Sequence, residues 1–318
     1  MTKRVQSIKA PSEEKAGDRV DPFPWSSWRS LYPFQSHYLR LDGGVRMHYV
    51  DEGAGKTVLM VHGNPTWSFY YRRLIASLRR KHRCVAPDHV GCGLSDKPAG
   101  YPYCLERHVE NLERLVIDRD LRDITLACHD WGGAIGMGMA LRQRDRISRI
   151  VVMNTAAFPS NRIPLRISVC RLPVLGPIAL RGFNLFSRAA LHMAVARHER
   201  MTPATVRGYL YPYNNWRNRV AILRFVQDIP MRPGHPSYPV LENIGRGLEA
   251  LRETPMLICW GERDFCFTTD FLAEWRERFP HAEVHSFPGA GHYVLEDAHE
   301  DIIPRIQAFL ERCPAGSD

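Results

Sequence analysis

Ile124-Thr-Leu-Ala-Cys-His-Asp-Trp-Gly-Gly133 is an apolar run that halts on a carboxylate and passes through paired glycines into helix-forming sequence. A strand that turns abruptly into a helix at a polar residue flanked by small ones has the form of a nucleophile elbow, where tight backbone displays the central side chain at the carboxyl edge of a sheet. Cys128 and Gly132 are the flanks here, so the displayed group is the Asp130 carboxylate. Taken alone, an Asp at such a boundary is more commonly an N-cap. Its surroundings decide between the two.

Short apolar runs recur on both sides of this segment, at Thr57–Val61, Arg83–Ala86, Arg149–Met153, Met256–Trp260 and Glu283–Phe287. Their length and β-branching predict buried parallel strands. Tyr38–Asp42 and Val45–Asp51 alternate around Gly43 and Gly44 and predict a hairpin. Helical patterns lie between the strands, as where Leu105, Val109, Leu112 and Val116 share one face. Strand and helix in alternation predict an α/β fold, a mostly parallel sheet flanked by helices. No strand pattern occurs between Met153 and Met256, which predicts a helical cap inserted after the sixth strand. The expected division is an N-terminal arm over 1–30, a core over 31–157 and 236–318, and the cap over 158–235.

In a sheet of this kind the loops at the carboxyl ends of the strands share one crevice. Two further polar groups follow predicted strands: Asp264 in Trp260-Gly-Glu-Arg-Asp-Phe265 and His292 in Gly289-Ala-Gly-His-Tyr293. With Asp130 they give the order nucleophile, acid, histidine, and Glu262 is expected to face solvent instead. After the first parallel strand comes His62-Gly-Asn-Pro-Thr-Trp67. Its Asn64 N–H and the N–H of Trp131 are candidate oxyanion donors. The Asn64 amide and Trp131 indole are uncharged donors suited to a leaving anion. Asp88 to Pro98 reads as turn-rich scaffold, since GxGxxG is absent. No His/Asp/Glu cluster has metal-ligand spacing, and no cofactor is expected.

The 318 residues are 44% hydrophobic and 24% charged, which excludes disordered and collagen-like classes. The sequence predicts neither a spanning helix nor a secretory signal, and its eight cysteines, without a CxxC pair, read as reduced thiols in the cytoplasm. Net charge is +9, and Phe158 to Arg232 holds 12 Arg, no Lys and only Glu199 and Asp228 as acids. No zinc-finger, RNP or basic-helix pattern accompanies them, so no nucleic-acid partner is expected. In Ile163 to Arg197 single arginines punctuate apolar runs. One reading is a lid whose apolar face covers a pocket while its arginines face water. The other is a surface for membrane or protein. The first is preferred.

His62-Gly-Asn-Pro-Thr-Trp67, Asp88 to Pro98, His129-Asp-Trp-Gly-Gly133, Gly261-Glu-Arg-Asp264 and Gly289 to Asp297 together resemble the α/β-hydrolase superfamily in its haloalkane dehalogenase-like branch, over about Leu31 to Glu311. In that branch the acid follows either of two strands. The earlier position here is Asn154, which cannot ionise, so the resemblance gives the role to Asp264 and makes Asn64 and Trp131 the leaving-anion donors. Asn154-Thr-Ala-Ala-Phe-Pro, Tyr209 to Arg219 and Phe225 to Pro230 are most similar to bacterial olefin-biosynthesis β-lactone decarboxylases. That implies conversion of a cis-3,4-dialkyl β-lactone to a cis-alkene and CO2. It also implies a hydrophobic substrate and partner enzymes of a hydrocarbon pathway, and the basic, apolar cap would suit delivery of such a substrate from the inner membrane or from a partner enzyme. The alternatives are haloalkane dehalogenation, in which His292 activates water against an Asp130 ester; epoxide hydrolysis, if Tyr209, Tyr211 or Tyr213 activates an oxygen; and a binding subunit that kept the fold.

Overall fold

The computed structural model describes residues 25–312. Eight strands form one sheet in the order β1-β2-β4-β3-β5-β6-β7-β8. They are β1 (Ser36–Arg40), β2 (Arg46–Glu52), β3 (Thr57–Val61), β4 (Arg83–Pro87), β5 (Ile124–Asp130), β6 (Ile147–Thr155), β7 (Met256–Gly261) and β8 (Glu283–Phe287). From β3 onward every pairing is parallel, and the hairpin β1-β2 joins antiparallel through β4. The hairpin strands differ in extent from the sequence expectation. Asp42–Gly44 closes a 3-10 turn with both glycines at positive φ, which ends β1 at Arg40 and starts β2 at Arg46.

The central strands are buried on both faces because a helical layer lies on each side. Period-two alternation divides their side chains: Leu59, Val61, Ile150 and Val152 enter one core, while Val58, Met60, Val151 and Met153 enter the other. The first core is closed by α2 (Leu105–Asp118), α3 (Trp131–Arg142), α8 (Tyr238–Gly247) and α9 (Thr269–Arg278). The second is closed by α1 (Arg72–Leu78), the short α10 (Val294–Asp297) and α11 (His299–Arg312). Each fully buried aliphatic side chain contributes about 1.5–3 kcal/mol. The stripe Leu105, Val109, Leu112 and Val116 is buried as expected. Cys104 gives α2 no side-chain cap, and the Leu105 N–H donates instead to the Asp228 carboxylate at 2.8 Å, from the segment above the sheet.

Between β6 and β7 stand α4 (Leu165–Val169), a π-helical turn at Pro177–Gly182, α5 (Leu185–Met193), α6 (Pro203–Leu210), α7 (Val220–Gln227) and then α8, which returns to the core beside α2 and α3. Two buried carboxylates fasten this insertion to the core. Glu296 takes both guanidinium nitrogens of Arg72 and the Tyr209 hydroxyl of α6 (2.6 Å). Asp297 accepts the N–H groups of Ala196 (2.9 Å), Arg197 (2.8 Å) and Gly291 (2.7 Å). Of the expected arm, 1–24 lie outside the described residues. Trp25–Leu31 forms a 3-10 turn whose Trp28 ring packs between Trp67 (5.8 Å) and Tyr211 (4.6 Å). Asp88 is a structural pin, accepting from His48 Nδ1, Ser68 N–H and Leu94 N–H, each at 2.8 Å. Among the described residues no helix is long and apolar enough to cross a membrane, and the seven cysteines are free thiols.

Candidate active site

β5 ends on Asp130 because the chain must reverse there into α3. Asp130 takes φ 52° and ψ −129°, a conformation that costs a non-glycine residue about 1–3 kcal/mol. Gly132 makes the bend possible: a Cβ there would stand 2.0 Å from the Val61 carbonyl oxygen. Gly63 has the same function on the facing loop, where a Cβ would stand 1.9 Å from Asp130 Oδ1. The carboxylate is therefore clamped between two backbones. Asp130 occupies the N-cap position of α3, but its side chain makes no capping hydrogen bond, so capping does not account for it.

Three loops bring the expected residues together. His292 Nε2 is 3.5 Å from Asp130 Oδ2, and its Nδ1 is 2.7 Å from Asp264 Oδ2. Asp264 Oδ1 accepts the N–H groups of Cys266 (2.6 Å) and Phe267 (3.0 Å), which fixes the carboxylate plane. Glu262 is exposed, as expected. Asn154 Nδ2 donates to Asp264 Oδ2 (3.0 Å) and to the Gly261 carbonyl (3.0 Å), while its Oδ1 accepts the Gly261 N–H (2.8 Å). The non-ionising residue thus orients the ionising one. The His292 backbone is held by His129 Nε2, at 2.8 Å from its carbonyl oxygen.

Burial opposes charge on both Asp130 and His292, yet each favours it on the other. Asp130 is held below the usual carboxylate range, against burial, by the His292 hydrogen bond and charge and by the Trp131 N–H. His292 is pushed up to about 10, again against burial, by the Asp264 charge and by contact with Asp130. In the resting site Asp130 and His292 thus each favour the charged form of the other.

Asn64 and Trp131 are where the sequence placed them, with a division of labour it did not disclose. The Asn64 N–H donates to Asp130 Oδ1 at 2.6 Å, and the Trp131 N–H also serves that carboxylate. In the resting site both backbone donors are engaged with Asp130 itself. The Asn64 side chain, which donates to the Ile222 carbonyl at 3.2 Å, and the Trp131 indole border a cavity of about 130 Å³ with Asp130. Its remaining wall is mostly apolar and mixes core with insertion, including Phe158, Ile167, Phe186 and Val226. Phe225 of α7 braces the Trp131 ring at 5.3 Å and itself stacks on His108 at 4.5 Å.

Tyr209, Tyr211 and Tyr213 are absent from the cavity wall. The Tyr209 hydroxyl donates to Glu296 and that of Tyr213 to the Thr66 carbonyl (3.1 Å), so the epoxide reading loses its oxygen-activating groups. Sequence reasoning missed Asp297, whose tie to Gly291 locks the His292 loop, and its only signal was an acid five residues after the histidine. Among the described residues no group of His, Cys, Asp and Glu is arranged to hold a metal ion.

Residues 58–305 match the model of the alpha/beta hydrolase family. The chain is 47% identical over 287 residues to a cis-3-alkyl-4-alkyloxetan-2-one decarboxylase of Shewanella oneidensis, covering 88% of this chain and 90% of that protein. It is 44% identical over 296 residues to the protein of the same name from Xanthomonas campestris pv. campestris, covering 89% and 98%. Among solved structures, haloalkane dehalogenase DatA from Agrobacterium tumefaciens C58 matches with a TM-score of 0.79 at 25% identity, covering 91% of this chain and 100% of that one.

Proposed function

The chain belongs to the alpha/beta hydrolase family, and from that premise we propose that it is a β-lactone decarboxylase that converts a cis-3,4-dialkyl oxetan-2-one to a cis-alkene and CO2, with Asp130 as nucleophile. The observation that carries the reading is the Asp130 carboxylate, pinned by two backbone N–H groups and lining a mostly apolar cavity together with Asn64 and Trp131. The names and near-complete overlap of the Shewanella and Xanthomonas relatives support the choice of electrophile.

Asp130 Oδ2 attacks ring carbon C4 in line with the C4–O1 bond. That bond breaks, its electron pair stays on the departing carboxylate, and an ester to Asp130 forms with inversion at C4. The new carboxylate is received by the Asn64 amide and Trp131 indole, donors that need no net charge of their own. The C3–CO2 bond then breaks and its pair becomes the C3=C4 double bond. The Asp130 ester oxygen leaves with the C4–O pair, which regenerates the carboxylate. Inversion followed by anti elimination keeps both alkyl groups on one side, so a cis lactone gives a cis alkene. No water is consumed. The His292 cation, held by Asp264, stabilises Asp130 as attacker and again as leaving group.

Dehalogenation would use the same first step on a carbon–halogen bond. Ester formation would cancel the Asp130 charge that helps raise His292, freeing the imidazole to accept a proton from water. The fold shared with the Agrobacterium dehalogenase keeps this reading in view. Parallel assays separate the two: headspace alkene and CO2 from a dialkyl β-lactone, and halide release from bromoalkanes, both in oxygen-18 water. Alkene without labelled alcohol is expected, and Asp130→Asn should abolish it, with a loss on the order of 10⁴ or more. Halide release with stoichiometric label in an alcohol, and no alkene, would overturn the proposal.

A further inference from the structure

Nine of the thirteen large hydrophobic side chains exposed among the described residues lie between Leu165 and Met193. Leu165 is 80% exposed, Val174 68% and Phe183 66%, where a lid serving only to cover a pocket would turn them inward. The preferred sequence reading of this segment is thus half met: Ile167 and Phe186 do face the cavity, but their neighbours Leu165 and Leu185 face out. An apolar strip therefore runs from the outer surface, through Ile163, Pro164 and Ile167, to the wall shared with Asp130.

The charge carried by this segment itself is of one sign. No Asp or Glu occurs from Ile147 to His198. Arg166, Arg171, Arg181 and Arg188 pair with no carboxylate among the described residues. Arg166 lies over the Phe265 ring and Arg181 over the Trp216 ring, each at 4.5 Å. Arg171 and Arg181 titrate below the ordinary guanidinium range, first through partial burial and then through repulsion by Arg232 and Arg224. Such a surface lacks counter-charge. A second copy of the chain would present the same unpaired arginines and be repelled.

We propose that this outer cap face docks on an anionic phospholipid bilayer, with Leu165, Val174 and Phe183 inserted at the acyl boundary and Arg166, Arg171 and Arg181 at the headgroups. Apolar side chains with arginines among them are the pattern of an interfacial segment. A bilayer accepts such side chains without the shape complementarity that a folded partner requires. The apolar strip would then let a water-insoluble substrate pass from lipid to Asp130 without crossing water. The inference holds whichever electrophile Asp130 attacks.

The test is co-sedimentation of the full chain with vesicles of phosphatidylcholine alone or with phosphatidylglycerol at about 30 mole per cent. Wild-type protein should bind the anionic vesicles at least tenfold more tightly and be released as salt rises from about 0.1 to 1 M. R166Q/R171Q/R181Q should lose roughly a hundredfold in affinity, about fivefold per arginine. L165S/V174S/F183S, which leaves the cavity wall intact, should also lose binding while turnover of a short, soluble substrate is unchanged. The salt series on wild type needs no variant, so a misfolded variant does not rescue the idea. Equal binding to both vesicle types, or none, overturns it. So does self-association, or binding to an acidic protein, that the same substitutions abolish while vesicle binding stays at zero.

Discussion

Replacing Asp264 by Asn tests the electrostatic core of the site. Two backbone N–H groups, from Cys266 and Phe267, require an acceptor at Oδ1, so the carbonyl of the new amide takes that position and its NH2 takes the other. That NH2 then confronts two groups that now donate to Asp264 Oδ2, His292 Nδ1 at 2.7 Å and Asn154 Nδ2 at 3.0 Å. The imidazole can meet it only as an acceptor, with its proton moved to Nε2. Burial lowers the His292 pKa and the Asp264 charge is foremost among the influences that raise it to about 10, so in the variant it falls far below that value and the ring is neutral through neutral pH. At 3.5 Å and an effective dielectric of about 20 the gross attraction between His292 and Asp130 is about 5 kcal/mol. The net worth of a charge-assisted hydrogen bond is smaller, about 2–3 kcal/mol. At about 1.4 kcal/mol per decade this is a loss of roughly 30- to 150-fold in kcat/KM for alkene release near pH 8. The pH profile should move as well. Wild type keeps the imidazolium until pH approaches about 10, whereas the variant should lose its alkaline limb several pH units earlier. Asn154→Asp in the same chain restores a carboxylate beside His292 and should recover much of the rate. A D264N enzyme within about threefold of wild type and with an unmoved alkaline limb would refute the reasoning.

Gly63→Ala places a Cβ 1.9 Å from Asp130 Oδ1 and must shift the carboxylate; turnover should fall about a hundredfold or more in steady-state assays while the fold survives by circular dichroism. Glu296→Gln leaves Arg72, 3% exposed, as an unpaired buried cation, and should cost about 3–5 kcal/mol in urea unfolding; the double change R72M/E296L should regain most of it. Acid should destabilise the protein from pH 6.5 downward, above the carboxylate range. His108 and His129 are buried neutral with pKa values lowered to about 3, so the unfolded chain takes up protons that the native state refuses. At pH 5 the two together should cost about 4 kcal/mol, read from the denaturant midpoint as a function of pH.

The fold and the convergence of the candidate site residues were legible for the same reason: each depends on local pattern. Continuous apolar runs such as Thr57–Val61 announce a strand covered on both faces, and Asp130 and Asp264 stand at the ends of such runs, whereas His292 follows β8, an edge strand that is only partly buried, contrary to the sequence expectation. What stayed hidden depends on contacts between distant segments. No local signal tells that Asn154 holds Asp264, that Asp297 ties the His292 loop to Ala196, or that Phe225 steadies Trp131. Leu165 and Ile167 are alike in composition, and only packing sends one to solvent and the other to the cavity.

The three hydrogen bonds to Asp297 bear on how the enzyme breathes. One edge of the cap, at Ala196 and Arg197, is fixed to the same carboxylate that fixes the loop bearing His292. The two are therefore coupled: displacing the chain at Ala196 and Arg197 also disturbs the carboxylate that holds the Gly291 N–H, beside His292.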